Sequence, residues 1–124
     1  MRVCIPSKSN EGLNSVVDDR FANARYFALY DTELKYLRML KNTKNHHRYG
    51  KQHLQNMLKE NQVDAVICQI LSGKTLKEIH RAGIKIYQTD ATKISEITQH
   101  IDEHLEQEIK PEDGIIHDEE PDNE

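Results

Sequence analysis

VDAVICQIL, residues 63–71, is the stretch on which the fold turns. All but Asp64 and Gln69 are apolar. A strand apolar on both faces belongs in the interior of a sheet covered on both sides. Such a strand needs a neighbour at each edge. Downstream, Ser72 is a candidate N-cap for a helix over 73–82 that turns Leu76 and Ile79 inward and ends at Gly83. IKIYQ (84–88) then reads as the next strand. A strand–helix–strand connection makes the two strands parallel. Asp90 is a candidate cap for a last helix over 91–109, with the stripe Ile94, Ile97, Ile101 and Leu105.

Upstream, Leu54, Met57 and Leu58 recur at helical spacing and predict a helix over 49–61. NTKNHHRYG (42–50), before it, is a polar, basic loop. RYFALYD (25–31) and KYLRMLK (35–41) are strands joined closely enough to form a hairpin. RVCIP (2–6) is a strand stopped by Pro6, and SKSNEGLNS (7–15) is a loop by composition. The first strand is the natural second neighbour for 63–71, and right-handed crossovers permit it. It can also pair with 25–31. The result is a mixed five-stranded sheet of order 3-2-1-4-5 with strand 2 antiparallel, in a three-layer α/β/α arrangement of ribonuclease H-like layout.

Strand direction then selects a site. The segments after strands 1, 3, 4 and 5, and the segment before strand 2, emerge at one edge: SKSN (7–10), NHHR (45–48), CQILSG (68–73), QTD (88–90) and DDRFA (18–22). Open α/β sheets bind ligands outside the carboxyl ends of their strands. DDRFANA (18–24) is therefore the rim of the expected site.

Composition narrows the possibilities. The chain has 124 residues, enough for one domain with its own core. Only 36% are hydrophobic and none is Trp, so the core is built mainly from Ile, Leu and Val. No apolar run is long enough to cross a bilayer, and the first ten residues do not form a signal peptide. Cys4 and Cys68 are expected to be reduced thiols in a cytoplasm. The net charge of −4 conceals a split. Residues 111–124 hold seven acids and no Lys or Arg, and read as an acidic disordered tail following a domain over 1–110. The first 110 residues carry 17 basic and 14 acidic groups.

MRVCIPS (1–7), VVDDRFANARYFALYDTE (16–33) and VDAVICQILSGKTLKEIHRAGIKIYQTD (63–90) together resemble the dinitrogenase iron–molybdenum cofactor biosynthesis family. That group contains NifX, NafY and the C-terminal part of NifB. The similarity runs in order from residue 1 to about residue 105. It implies a ribonuclease H-like fold and non-catalytic binding or carriage of an iron–sulfur- or molybdenum-containing metallocluster. Its implied partners are the proteins that donate or accept that cluster. Two positions depart from the family pattern. Arg20-Phe21-Ala22 stands where many members have His-Phe-Gly, whose histidine is implicated in cofactor ligation. Gln69-Ile70-Leu71-Ser72 stands where many have a Gly-Gly-x-Gly turn.

The residues themselves offer several candidates. His46 and His47, with His53 nearby, are the most ligand-like group, since imidazole suits iron, copper and zinc. Against this, histidines in a basic loop are often simply exposed. Cys68 ends a strand at the rim, where a thiolate would ligate a soft metal; the alternative is an inert core thiol. Cys4 reads as core. Arg20 and Phe21 fall on the family's cofactor-binding position, and Ser72 and Gly73 begin a helix whose N-terminus favours anions. Residues 34–59 contain seven Lys or Arg and no acid, a surface that draws anions or is merely solvated. A nuclease of this layout needs a carboxylate in the middle of strand 1, where Cys4 stands, and nucleic acid is not an expected partner. The protein is expected to be a monomer or weak dimer, and the remaining alternative is an adaptor or regulatory protein of the same fold that has lost its ligand.

Overall fold

The computed structural model of the chain describes residues 1–42 and 51–110. His46, His47, the start expected for the first helix and the acidic tail lie outside the described residues. Five strands are present: β1 (Arg2–Ser7), β2 (Tyr26–Asp31), β3 (Tyr36–Lys41), β4 (Ala65–Cys68) and β5 (Lys85–Gln88). They form one sheet in the order β3-β2-β1-β4-β5. β2 is antiparallel to β1 and β3, whereas β1, β4 and β5 are mutually parallel. The helices are α1 (Lys51–Glu60), α2 (Gly73–Arg81) and α3 (Ile94–Gln99), with short 3-10 turns at Gly12–Asn14 and Glu103–Leu105.

β4 shows why the sheet must be covered twice. Its four residues are all buried. Successive side chains alternate faces, so Val66 and Cys68 join a core with Cys4, Phe27, Leu29 and Ile86, covered by Leu54 and Leu58 of α1 and Leu76 and Ile79 of α2. Ala65 and Ile67 join the opposite core with Val3, Ile5, Ala28 and Tyr87, covered by Ile94 and Ile97 of α3. β4 lies between β1 and β5, inside the sheet, as its composition requires.

β1 runs one residue past Pro6, to Ser7. Pro6 is tolerated because β4 pairs with β1 only at Val3 and Cys4. Beyond that register no β4 carbonyl waits for the missing N–H, and the Pro6 carbonyl instead accepts the Asp18 N–H at 2.9 Å.

α2 is bounded by its own sequence. The Ser72 hydroxyl accepts the Thr75 N–H and pairs with the Thr75 hydroxyl at 2.9 Å. At the far end Gly83 takes a φ of +80°. The Gly83 N–H bonds to the His80 carbonyl and the Ile84 N–H reaches the Ile79 carbonyl, while the Ile79 and Ile84 side chains share the core. This is a Schellman ending.

The last helix is much shorter than the expected 91–109, and Asp90 does not cap it. Its N-cap is Lys93. The Glu96 carboxylate folds back to accept the backbone N–H groups of Thr92 and Lys93 and the Thr92 hydroxyl. After Gln99 the chain turns so that residues 107–109 lie along β5: the Ile109 N–H bonds to the Ile86 carbonyl at 2.7 Å, and Glu108 bridges to Tyr87. Covering that otherwise open edge competes with continuing the helix, and Ile97, Thr98 and Ile101 are weak helix formers. Ile101 and Leu105 still pack on the core, through turns instead of a continuous helix.

Candidate functional site

Residues 15–20 are stitched across three elements by main-chain bonds. The Lys8 N–H donates to the Val16 carbonyl and the Asp18 N–H to the Pro6 carbonyl, each at 2.9 Å, fixing the segment to the end of β1. The Val17 N–H donates to the Thr92 carbonyl at 2.8 Å, and the Ile94 N–H donates to the Ser15 carbonyl at 3.0 Å, fixing it to the start of α3. Arg20 bridges in parallel to Ile70, just past β4.

The chain then anchors itself in the core. Phe21 is 1% exposed and its ring packs on Phe27, centroids 5.2 Å apart and tilted by 51°. Full burial of such a ring stabilises by about 1.5–3 kcal/mol. Ala22 and Ala24 are also buried, where a larger side chain would have to displace the ring's neighbours. The Asn42 side-chain amide donates to the Ala22 and Ala24 carbonyls, and the Asn42 backbone N–H donates to the Arg25 carbonyl. The loop before β2 is thus tied to the end of β3.

What projects from this frame is an open cleft of about 490 Å³, lined by Lys8, Asp18, Asp19, Arg20, Asn23 and Arg25. Lys8 follows β1 and Arg25 precedes β2, so the cleft sits at the sheet edge that strand direction selects. Among the described residues, three cations share this lining with two aspartates and an amide. Asp18 Oδ1 accepts the Arg20 N–H at 3.1 Å. The Asp18 carboxyl lies above the ordinary carboxylate range, chiefly because it is half-buried; the neighbouring Asp19 carboxyl adds to this, while the Arg20 N–H and Lys8 oppose it.

The expected site residues separate into groups. Arg20 lies in the cleft. Phe21 does not: it is the core anchor beneath it. Cys68 has its backbone at the rim end of β4, but its side chain is fully buried on the α1/α2 face. Burial pushes its thiol up to about 12, and the side chain packs among the core residues of that face. Cys4 is likewise buried. The Ser72 hydroxyl is committed to its own helix, and neither Ser72 nor Gly73 is among the described lining residues. Their relation to the cleft is indirect, through the bridge between Arg20 and Ile70. His46 and His47 fall outside the described residues, in the segment that follows Asn42. QTD (88–90) reaches the same edge but lines a separate hollow of about 380 Å³ with Glu103, His104 and Gln107.

Lys8, Asn23 and Arg25 line the cleft without having been singled out. Strand direction places SKSN and the segment before strand 2 at this edge. It does not say which of their side chains turn inward. Among the described residues, no three His, Cys, Asp or Glu side chains converge as a metal-holding group. The described cleft offers charge and hydrogen-bond donors, not a ligand cage. No helix among the described residues is long and apolar enough to cross a membrane.

Comparison with solved structures places this architecture among known ones. A putative NifB protein from Thermotoga is 28% identical, with a TM-score of 0.67 over 82% of this chain and 87% of that one. The apo form of the orange protein from Desulfovibrio gigas shares the fold at 19% identity and a TM-score of 0.71, covering 88% of this chain and 96% of that one. A putative dinitrogenase from Methanocaldococcus jannaschii does so at 24% identity and a TM-score of 0.60, covering 88% and 94%. No curated protein sequence matches the chain significantly. The sequence profile described as dinitrogenase iron-molybdenum cofactor matches residues 1–104, all five strands included. The chain belongs to the dinitrogenase iron–molybdenum cofactor family.

Proposed function

We propose that this protein is a small non-catalytic carrier that holds an anionic metal–sulfur cluster, of iron–sulfur or molybdenum-containing type, in the Arg20 cleft and passes it between donor and acceptor proteins. Membership of the family supports the class of cargo. The observation that carries the reading to this site is the set of three cations, Lys8, Arg20 and Arg25, converging at the carboxyl edge of the sheet on a frame held by main-chain bonds. Cationic donors in a partly enclosed cleft attract a compact polyanion and orient it through charge-assisted hydrogen bonds. Arg20 occupies the position of the family's ligating histidine. In this chain that position supplies charge, and any bond to metal falls to His46 and His47 in the segment that follows Asn42.

Anaerobic titration with an isolated iron–molybdenum–sulfur cluster, followed by visible absorption, tests this. The full chain is expected to bind. Arg20→Ala is expected to weaken binding about tenfold, the worth of one charge-assisted hydrogen bond. His46→Ala with His47→Ala is expected to alter the absorption bands of the bound cluster. If the wild type and Arg20→His both fail to bind, the carrier reading falls and an adaptor working through protein contacts replaces it.

A further inference from the structure

The cleft contains a feature that a plain anion site would not need. Asp18 and Asp19 stand in the same wall as Lys8, Arg20 and Arg25. As carboxylates they cancel two of the three positive charges and repel the cargo directly. Their position is built: Asp18 is held through its N–H to Pro6 and through Oδ1 to the Arg20 N–H.

We propose that the Asp18–Asp19 pair determines the specificity of this cleft by coupling anion capture to the uptake of one proton. The inference rests on the carrier reading and adds to it how cargo is held and let go. When a polyanion enters, a carboxylate beside it becomes less favourable, and Asp18 takes a proton from solvent. The cleft then presents three cations against one carboxylate, and a neutral carboxyl that donates a hydrogen bond to the cargo. When the proton leaves, two carboxylates face the cargo again and it is expelled. No electron moves and no covalent bond changes apart from the O–H of the carboxyl. Among the described residues, the charged groups facing Asp18 are Lys8 from the end of β1, and Asp19 and Arg20 from its own segment, with Arg25 also lining the cleft. The half-burial that already holds Asp18 above the usual carboxylate range places it nearest to that exchange. Small, highly charged anions gain most, because repulsion by the carboxylate grows with the charge brought beside it.

The test compares the full-length wild type with Asp18→Asn and Asp19→Asn. In Asp18→Asn the side-chain amide oxygen keeps an acceptor for the Arg20 N–H, so the loop is retained, and circular dichroism checks this. Two probes are used from about pH 5 to about pH 8: the isolated iron–molybdenum–sulfur cluster, and sulfate, whose own charge is constant there. Wild-type affinity should fall as pH rises, by up to about tenfold per unit, the limit for one proton. Asp18→Asn should bind more tightly at the alkaline end and lose the slope. The same shift should appear without spectroscopy of the cargo, as a rise in the Asp18 carboxyl titration midpoint, read by carbon NMR, when sulfate is added. Binding with the same pH profile in wild type and Asp18→Asn overturns the proton coupling while leaving the carrier reading intact. Failure of both probes to bind any of the three proteins overturns the carrier reading as well.

Discussion

Ser72 is legible in the sequence as a structural residue. Its place before an amphipathic run marks it as a helix cap, and it is one. Its hydroxyl accepts the Thr75 N–H and pairs with the Thr75 hydroxyl, which closes the first turn of α2. Ser72→Ala is expected to destabilise the protein by about 1 kcal/mol, seen as a lower urea midpoint with an unchanged slope. Glu96 is a second case with a pH signature. Its carboxyl is held below the ordinary range by the Lys93 N–H, then by the Thr92 N–H and hydroxyl. A folded-state value depressed below the unfolded one adds stability above the unfolded value, and that contribution is lost as pH falls through the folded value. Glu96→Gln is therefore expected to lower the melting temperature at neutral pH, with the gap to wild type closing in acid below the unfolded value of 4.5. A gap that persists in acid would show that packing, not charge, is responsible. Phe21 and Cys68 were not decidable from sequence, because an aromatic ring or a thiol at the end of an element suits both core and site. Only the direction of the side chain separates the two, and here both point inward.

At the scale of elements, legibility followed the strength of local signals. The five strands and α2 were readable because apolar runs, a cap and a terminal glycine agree with one another. The last helix was misread because its isoleucine spacing is satisfied equally by a short helix followed by turns. The deciding influence, the exposed edge of β5, is invisible until the sheet exists. Gly83 belongs to this scale, since its φ of +80° is what lets α2 turn into β5. A Cβ there would meet nothing within 4 Å. Gly83→Ala should therefore cost only the left-handed backbone penalty, about 1–2 kcal/mol, measurable by denaturant unfolding. Gly83→Asn should recover part of it.

For the whole molecule, the sheet order could be derived because crossover handedness and one doubly apolar strand leave few alternatives. The site could be located to an edge but not drawn. The residues that line it depend on how the loop before β2 is held by Asn42 and by the backbone of residues 15–20, which are contacts distant in sequence. The same whole-molecule view bears on activity. Cys4 occupies the middle of β1, fully buried, and two-metal nucleases hold their ions in a clamp of which a core thiol is no part. The purified protein is expected to leave RNA and DNA intact with Mg²⁺ or Mn²⁺. Cleavage that co-purifies with the protein and is lost on mutating Asp18 would count against this expectation.

The rim owes much of its path to main-chain bonds, to the Asn42 amide and to one buried ring, while the side chains at 18, 19, 20, 23 and 25 bear on the cleft. Architecture and contents are thereby uncoupled. A library randomised at 19 and 25 should yield mostly folded, protease-resistant proteins, whereas one randomised at 21, 22 and 24 should yield mostly unfolded ones. Such a frame can be refitted for a different cargo by exchanging a few exposed residues, without renegotiating the fold.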